Sequence, residues 1–299
     1  MQKTYHRQAV IITAFRNLTQ LIELAKILSE VFEVYIHIDK KVSDAVSKVN
    51  TLKNMNHVKV YSLYKVNWGG CKHLKAILYL INEALKNENI DFFHIISGED
   101  WPVQNAIDIY ERFENEDKIY MNFKELSKMK KKEYWHVGGW QKYYSFLDIF
   151  DYKKIPQKLF VKGFVYLQKL LRINRFKELK ISLSRGVIWG DLPRKAIVYC
   201  FQYAYGNPEF LNFLEYGHAS EKFFFQTILL NSADWKDKMV NNNLRYIVYE
   251  RRNGSYPAVL DQTDYKQIIQ GGYIFARKLR TPVSDELISN LMRYTHGMG

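Results

Sequence analysis

The sequence predicts an α/β fold in which a mostly parallel central sheet is flanked by helices. Short runs of β-branched and aromatic residues alternate with helical patterns of about 10 to 15 residues, which is typical of parallel βαβ units. Of the 299 residues, 47% are hydrophobic, which is enough to fill a substantial core. We predict a single domain over residues 1–299, with a basic, aromatic, helical subregion at about 124–182.

The first half of the chain contains this alternation in its clearest form. The segments expected to form strands are Ala9–Phe15, Glu33–Asp39, Val58–Leu63, Phe92–Ser97 and Lys118–Phe123. The helices expected between them are Leu18–Ser29, Lys72–Leu85 and Ala106–Phe113. Because ligands of parallel sheets bind beyond the carboxyl ends of the strands, the residues after these strands are the first candidates for a site.

The second half is less regular. We expect Ile155-Pro156 to interrupt the basic subregion and an amphipathic stretch to follow at Gln157–Lys180. Strands are predicted after it at Gly186–Trp189 and Leu244–Tyr249. Helices are predicted at Leu192–Tyr203, Ser220–Leu230 and Ser284–Met292.

Composition argues against several classes of protein. Cys71 and Cys200 lie far apart, without the spacing of a zinc site or a disulfide framework, which favours a reducing compartment. No run has the pattern of a signal peptide or the roughly 20 apolar residues of a membrane span. We therefore expect a cytoplasmic protein.

The net charge is strongly positive. The chain has 44 basic and 31 acidic residues, a balance of +13, and most of the excess lies between Lys124 and Lys195. Such a region faces an anionic partner or keeps an aromatic surface in solution. Within it, apolar and basic residues alternate over Phe160–Lys180, which suits peripheral contact with the anionic inner face of a membrane. An ordinary helix packed on the domain is the alternative.

Asp39 follows a predicted buried strand in the segment Tyr35–Lys41. A carboxylate at such a strand end accepts hydrogen bonds from a ribose or a base, as in other nucleotide-binding sheets. The alternative is a loop acid paired with Lys40 or Lys41.

Two further loops follow strands. Val66–Gly70 contains Trp68 and Gly69, and its glycines permit close backbone approach before a helix, although an ordinary turn has the same pattern. Ser97–Pro102 contains Ser97 and Asp100. The chain contains no Asp-x-Asp, the pattern with which nucleotide-sugar enzymes commonly hold a divalent ion on a diphosphate. Fixed cations would then have to neutralise a diphosphate leaving group.

Such cations are present near the C-terminus. Basic residues occur in Phe275–Arg280 and at Arg251 and Arg252. Surface clusters of Lys and Arg are most often simply solvated, but the missing acidic motif favours a role for these.

Glu221 is the candidate general base. It lies at the start of a predicted helix, where Ser220 is expected to act as the N-cap and the helix dipole favours a carboxylate. Forming a glycosidic bond requires a group that accepts the proton of the acceptor hydroxyl. An ordinary glutamate at a helix start is the alternative.

Six blocks in this order resemble the core-2/I-branching β-1,6-N-acetylglucosaminyltransferases, glycosyltransferase family 14, which include peptide O-xylosyltransferases. The blocks are Tyr35–Lys41, Val66–Gly70, Ser97–Pro102, Gly186–Trp189, Ser220–Thr227 and Phe275–Lys278. The resemblance covers nearly the whole chain, and the absence of the disulfides and anchor of animal members suggests a bacterial one. It implies a GT-A-like nucleotide-sugar-binding fold, an inverting mechanism, a UDP-sugar donor, with GlcNAc the expected sugar, and no divalent metal.

The resemblance also implies roles for individual residues. The family's Pro-Asp-Glu, whose Glu is the base, corresponds to Ala219-Ser220-Glu221, where only the Glu is retained. The family's Phe-Ala-x-Lys, whose Lys contacts the diphosphate, matches Phe275–Lys278. For a second diphosphate-binding Arg the local match is poor, and Arg251 and Arg252 are the nearest candidates.

These roles combine into one expected reaction on a carbohydrate or lipid-linked glycan acceptor. Asp39 with Ala14 and Arg16 holds the uridine, and Ser97–Asp100 with Trp68 lines the donor sugar. Stacking on sugars is expected of three aromatic residues, for which the alternative is a place in the core, namely Trp101, Trp189 and Tyr249. Two rival readings remain: a nucleic-acid-binding protein that uses the basic aromatic segment, and a glycan-binding relative without transferase activity.

Overall fold

A computed structural model describes residues 5–42, 46–128, 142–151, 154–175 and 179–296. Its main sheet has seven strands in the order β10-β6-β9-β4-β1-β2-β3. These strands are β1 Gln8–Ala14, β2 Glu33–Ile38, β3 Val58–Tyr61, β4 Phe92–Ser97, β6 Ile119–Met121, β9 Gly190–Pro193 and β10 Met239–Val240. All neighbouring pairs are parallel except those that β9 forms with β4 and β6. The predicted mostly parallel α/β sheet is therefore confirmed.

Helices flank this sheet. In chain order, the helices are α1 Leu18–Ser29, α2 Val46–Lys53, α3 Lys72–Leu85, α4 Ala106–Arg112, α5 Ile155–Leu170, α6 Arg194–Gly206, α7 Pro208–Glu215, α8 Phe224–Leu230, α9 Ala233–Lys236, α10 Tyr265–Gln270 and α11 Asp285–Thr295. The predicted bounds of α1 and α3 agree with the structure at both ends. Within the described residues no helix is long and apolar enough to cross a membrane.

The core consists of two layers, one on each face of the sheet. Alternate side chains of β1 belong to different layers, because neighbouring residues of a strand point to opposite faces. Ala9 and Ile11 pack with α3, α6 and α8, whereas Val10 and Ile12 pack with α1, α4 and α11. Burial on both faces explains why β1 is an almost uninterrupted apolar run.

Two small sheets complete the fold. One has the order β11-β12-β5 and contains β5 Asp100–Pro102, β11 Arg245–Ile247 and β12 Phe275–Arg277. The other pairs β7 Lys124–Glu125 with β8 Ser184–Arg185. Strand β12 is antiparallel to β5, with Arg277 directly opposite Asp100. This pairing brings the late basic segment to the end of β4.

The structure corrects three local predictions in the second half. Gly186–Trp189 is not a strand, and the strand is Gly190–Pro193 directly after it. Pro193 therefore ends a strand, and the helix predicted from Leu192 begins at Arg194. The pair Ile155-Pro156 begins α5 instead of breaking the chain, because the first helical turn needs no proline N–H. Within the basic subregion, residues 129–141, 152–153 and 176–178 lie outside the described residues.

Candidate active site

The candidate residues meet at the carboxyl edge of β1, β2 and β4. Thr13 of β1 is paired with His37 of β2 and with Ser97 of β4, so the loops after these three strands are neighbours. The backbone N–H of Asp39 donates to the carbonyl of Ala14 at 2.8 Å. Ala14 is buried, so only its backbone is available at this edge.

Asp39 organises the loop that follows β3. Its carboxylate accepts hydrogen bonds from the backbone N–H groups of Lys41 at 2.9 Å and Val66 at 3.3 Å. The Lys41 ammonium lies 3.6 Å from the same carboxylate, so the sequence's alternative of a loop ion pair is also realised. His37 acts similarly, because burial lowers its pKa to about 4 and its neutral Nε2 accepts from two backbone N–H groups of the same loop. A uridine contact by Asp39 stays a prediction.

The loop after β3 is fastened to the segment that carries Glu221. The carbonyl of Gly69 accepts a hydrogen bond from the N–H of Ala219 at 2.7 Å. Gly69 has a φ of +82°, and a Cβ there would lie 2.8 Å from Nε2 of His218, so both the backbone and the space require glycine. Trp68 is 56% exposed, and its ring lies edge-on to His218 at 5.2 Å. The indole is therefore available to a ligand.

Glu221 lies in a single turn of 3-10 helix, Ser220–Lys222, that precedes α8. The predicted N-cap is wrong, because the Ser220 hydroxyl donates to the carbonyl of Leu214 and caps nothing. Burial alone would raise the pKa of Glu221, but the interaction with His73 and the charge of Lys222 outweigh it and lower this pKa. Oε1 lies 3.9 Å from Nδ1 of His73, whereas Oε2 has no hydrogen-bond partner among the described residues. The result is an ionised carboxylate with an unoccupied acceptor.

His73 was not among the residues singled out from the sequence. It lies in the first turn of α3, and its Nε2 is 3.2 Å from the hydroxyl of Thr13 at the end of β1. Its ring is 5.9 Å from that of Trp189. Its position three residues after Gly70 was the available signal. Through His73, the carboxylate of Glu221 is connected to the edge of the sheet.

Three cations act on the buried Glu99, namely Arg16, Lys278 and Arg280. The guanidinium of Arg280 lies 2.8 Å from its carboxylate and that of Arg16 lies 3.7 Å away. Burial lowers the pKa of Lys278 to about 8. The charge of Glu99 opposes this shift, and the charges of three arginines add to it, namely Arg277, Arg280 and Arg16. Lys278 donates to the hydroxyl of Ser255 at 3.2 Å. Burial is the main cause of this reduced pKa, and a half-buried ammonium among further cations favours an anionic ligand.

Arg277 connects this cation cluster to Ser97 and Asp100. Its guanidinium donates to Asp100 at 2.8 Å and to the Ser97 hydroxyl at 2.9 Å, and it stacks 4.3 Å from the ring of Trp189. Asp100 is fully buried, so it holds Ser97 and Arg277 and does not itself form a surface for a sugar. The ring of Trp189 thus contacts Arg277 and also lies near His73, so it links the basic segment to the partner of the base.

The structure places Arg251 and Arg252 differently. Arg252 binds both carboxylate oxygens of Asp264 at 2.7 Å, and this pair closes the loop before α10. Arg251 is exposed in the same loop. No described contact joins either residue to the cation cluster, and their role at the diphosphate stays a prediction.

The aromatic residues proposed for stacking have different environments. Trp101 is 2% exposed and belongs to the core, which is the alternative that the sequence allowed. Tyr249 is 56% exposed, and the charges of Arg277 and Arg185 act on it. Arg185 also acts on His218. Arg185 was missed in the sequence because nothing in its neighbourhood distinguishes it.

One group of potential metal ligands occurs among the described residues. It consists of His6, Glu33 and His57, and Nδ1 of His57 lies 2.7 Å from Glu33. These residues precede or begin β1, β2 and β3, at the opposite edge of the sheet from Glu221. A cavity of about 500 Å³ borders His6 and Glu33. This group is separate from the cation cluster.

Comparison with known families gives one match that covers most of the chain. The model of the Core-2/I-Branching enzyme family matches residues 11–269. The chain belongs to the Core-2/I-Branching enzyme family. The resemblance drawn from the six sequence blocks is thus confirmed, as is the GT-A-like character of the sheet. The match includes Glu221 and ends before Lys278.

Two more distant relatives are proteins of Arabidopsis thaliana. The beta-glucuronosyltransferase GlcAT14B is 29% identical over 112 residues, which are 37% of this chain and 23% of that protein. The beta-glucuronosyltransferase GlcAT14A is 29% identical over 126 residues, which are 40% of this chain and 25% of that protein. This Core-2/I-Branching family member therefore matches only about a quarter of the length of these relatives.

Proposed function

We propose that this protein is an inverting glycosyltransferase that transfers a sugar from a UDP-sugar to a hydroxyl of a carbohydrate acceptor. The observation that carries the proposal is that the ring of Trp189 contacts both His73, the partner of the buried and ionised Glu221, and Arg277 of the basic segment. Family membership supports the same reaction class.

In the proposed reaction, Oε2 of Glu221 accepts the proton of the acceptor hydroxyl. The oxygen of that hydroxyl attacks C1 of the α-linked donor sugar as the bond from C1 to the diphosphate oxygen breaks, so the product is β-linked. Lys278, Arg16 and Arg280 stabilise the negative charge that develops on the leaving UDP. His73 holds the carboxylate in place through its 3.9 Å contact.

The acids near the diphosphate support a reaction without a divalent metal. Glu99 and Asp100 are the carboxylates at the end of β4, where a metal-binding motif would be expected. Arginine side chains neutralise both: Arg280 lies 2.8 Å from Glu99, and Arg277 lies 2.8 Å from Asp100. We infer that the positive charge otherwise supplied by a metal comes from Lys278 and Arg16, the cations of this cluster outside these two pairs.

GlcNAc is the donor sugar that the sequence resemblance suggests, and glucuronate is a second candidate. Two relatives are named as beta-glucuronosyltransferases, and a uronic acid would bring one further negative charge. Arg185 and Arg277 act on Tyr249, an exposed aromatic side chain beside the cations, so the site offers a counter-charge for that carboxylate.

The test is UDP release from a panel of UDP-sugars with mixed glycan acceptors, in EDTA and with added manganese. We expect turnover in EDTA with UDP-GlcNAc or UDP-glucuronate, and a fall in kcat of at least about 100-fold in Glu221→Gln. Glu215→Gln is the matched control, because within the described part of the chain that exposed glutamate forms an ion pair only with Lys75 in the neighbouring helix. Turnover that requires manganese would refute the role of the cations.

The rival functions give different results in the same experiment. A glycan-binding relative would bind the acceptors and leave every UDP-sugar intact. A nucleic-acid-binding protein would bind no UDP-sugar and would be retained on nucleic acid in a salt-sensitive manner. We propose a location at the inner face of a membrane, with the lysine-rich helix α5 as the supporting feature.

A further inference from the structure

Helix α5 exposes an apolar face to solvent. Only Val161 and Gln168 of this helix are buried. Its large exposed apolar side chains, each more than half exposed and including one residue just beyond the helix, are Ile155, Leu159, Phe160, Tyr166, Leu167, Leu170 and Leu171. A contiguous exposed apolar surface of this kind marks a binding face, since scattered single residues would be the norm on a protein surface.

Basic residues border this face. At about 100° per residue, Ile155, Leu159 and Tyr166 project into one arc of the helix. The exposed Lys158, Lys162 and Lys169 project into the adjacent arc. The helix contains no Asp or Glu. It therefore presents an apolar stripe beside a purely cationic stripe, with the buried side chains on the remaining arc.

This arrangement fits an anionic lipid bilayer. An interfacial helix places its apolar stripe in the acyl boundary and its lysines at the level of the anionic head groups. The lysine stems are apolar, so they extend along the interface while the ammonium groups stay in water. A helix of sixteen residues that includes three lysines and two glutamines lies on a membrane and does not cross it, in agreement with the absence of spanning helices from the described residues.

The helix is attached to the loop beside the base. Gln168 accepts a hydrogen bond from the N–H of Tyr143 at 2.7 Å and donates to its carbonyl at 2.9 Å. A few residues further along, the carboxylate of Asp148 accepts from the N–H of Lys72 at 3.0 Å. Asp148 also occupies the space next to Gly70, where an added Cβ would lie 2.2 Å from its oxygen. The segment that supports α5 therefore packs on the loop that is hydrogen-bonded to Ala219.

We propose that α5 docks the protein on an anionic bilayer and that the acceptor is a membrane-anchored glycan delivered to Glu221 from that surface. Delivery of the acceptor rests on the proposed transferase activity, whereas docking of α5 does not. Docking brings the acceptor to the side of the site formed by Trp68 and Glu221, away from the cations that hold the donor.

The docking experiment uses the full chain, without a donor, in co-sedimentation with vesicles. Phosphatidylcholine vesicles are compared with vesicles that also contain about one-third phosphatidylglycerol. We expect binding at least about tenfold tighter to the anionic vesicles and weaker at high salt. Leu159→Ser with Leu170→Ser should abolish it, and Lys158→Glu with Lys162→Glu should remove the preference for anionic lipid.

The matched control makes the same kinds of change, an exposed apolar residue to Ser and an exposed Lys to Glu, on another helix. Tyr205 is 76% exposed and Lys195 is exposed, and both lie on α6. Tyr205→Ser with Lys195→Glu should bind vesicles like the wild type. The proposal would be overturned if the double variant Leu159→Ser with Leu170→Ser bound anionic vesicles as tightly as the wild type. It would also be overturned by a concentration-dependent dimer that the same pair of substitutions dissolves, since the face would then be an interface between copies.

A second measurement separates docking from transfer. Turnover is compared for a soluble glycan acceptor and for the same glycan attached to a lipid in anionic vesicles. Leu159→Ser with Leu170→Ser should keep its rate on the soluble acceptor and lose about tenfold on the vesicle-bound one. Equal losses on both acceptors would refute delivery from the membrane. Vesicle binding by a protein that transfers no sugar would leave the docking helix intact and refute the transferase.

Discussion

Lys278 makes the reaction sensitive to alkaline pH. Burial, reinforced by Arg277, Arg280 and Arg16 and opposed by Glu99, lowers its pKa to about 8. Its ammonium is therefore about nine-tenths protonated at pH 7 and about one-tenth protonated at pH 9. If only the protonated form stabilises the leaving diphosphate, kcat/KM for the UDP-sugar falls roughly ninefold over that interval.

The assay is initial-rate UDP release at subsaturating donor between pH 6 and 10. Glu221 does not complicate this range, because its pKa is lowered from the ordinary acidic value and the carboxylate stays ionised. In Lys278→Arg the guanidinium remains charged, so the alkaline fall should disappear. Lys266→Arg, a change at an exposed lysine of α10, should leave the fall in place. A profile that falls equally in Lys278→Arg would show that another group titrates.

Three further predictions follow from described contacts. Binding of UDP at about pH 8.5 should take up a fraction of a proton, because an anion raises the pKa of Lys278, and calorimetry in buffers of different ionisation enthalpy measures that uptake. Arg252→Met should lower the free energy of unfolding by about 2 kcal/mol through loss of its pair with the buried Asp264, and KM for the UDP-sugar in this variant shows whether the residue also contacts the diphosphate. Gly69→Ala should cost roughly 1 kcal/mol more stability than Gly254→Ala, since both have positive φ and only Gly69 has a side chain within contact distance of an added Cβ.

Each of these has a result that would contradict it. Proton release, or uptake that persists in Lys278→Arg, would mean that the lysine is not the group coupled to UDP. A large rise in KM for Arg252→Met would restore that residue to the diphosphate site. Equal denaturation midpoints for the two glycine variants would show that the imidazole beside Gly69 moves aside without cost.

Elements with a strong local pattern were predictable from the sequence. The bounds of α1, α3 and β4 agree with the prediction because each has a regular apolar pattern and polar or turn residues at its ends. The parallel order of β1, β2 and β4 then placed Asp39 and Ser97 at one edge without further information. Local periodicity therefore accounts for five of the seven strands of the main sheet and for the loops that follow β1, β2 and β4.

Features that depend on distant partners were not predictable in this way. The residues next to Arg277 in the sequence do not indicate that it is buried against Asp100. That contact depends on the pairing of β12 with β5, two strands that are far apart in the sequence. Ser220 has the residue type of an N-cap, but the carbonyl of Leu214 lies within reach and takes its hydroxyl. Pro156 lies in the first turn of α5, where no backbone N–H is needed. The sequence does not show that a helix begins there, so the proline was interpreted as a break.

The pairing of Arg277 with Asp100 has a consequence for the order in which the protein matures. The base and the cations belong to parts of the chain that a ribosome releases at different times, and β12 closes against β5 only after most of the polypeptide has been made. A nascent chain that has already completed the segments with Trp68 and Glu221 can therefore present the acceptor side while it still lacks Arg277, Lys278 and Arg280. Because these cations are made last, a sugar donor stabilises only chains in which β12 has been synthesised, and not earlier folding intermediates.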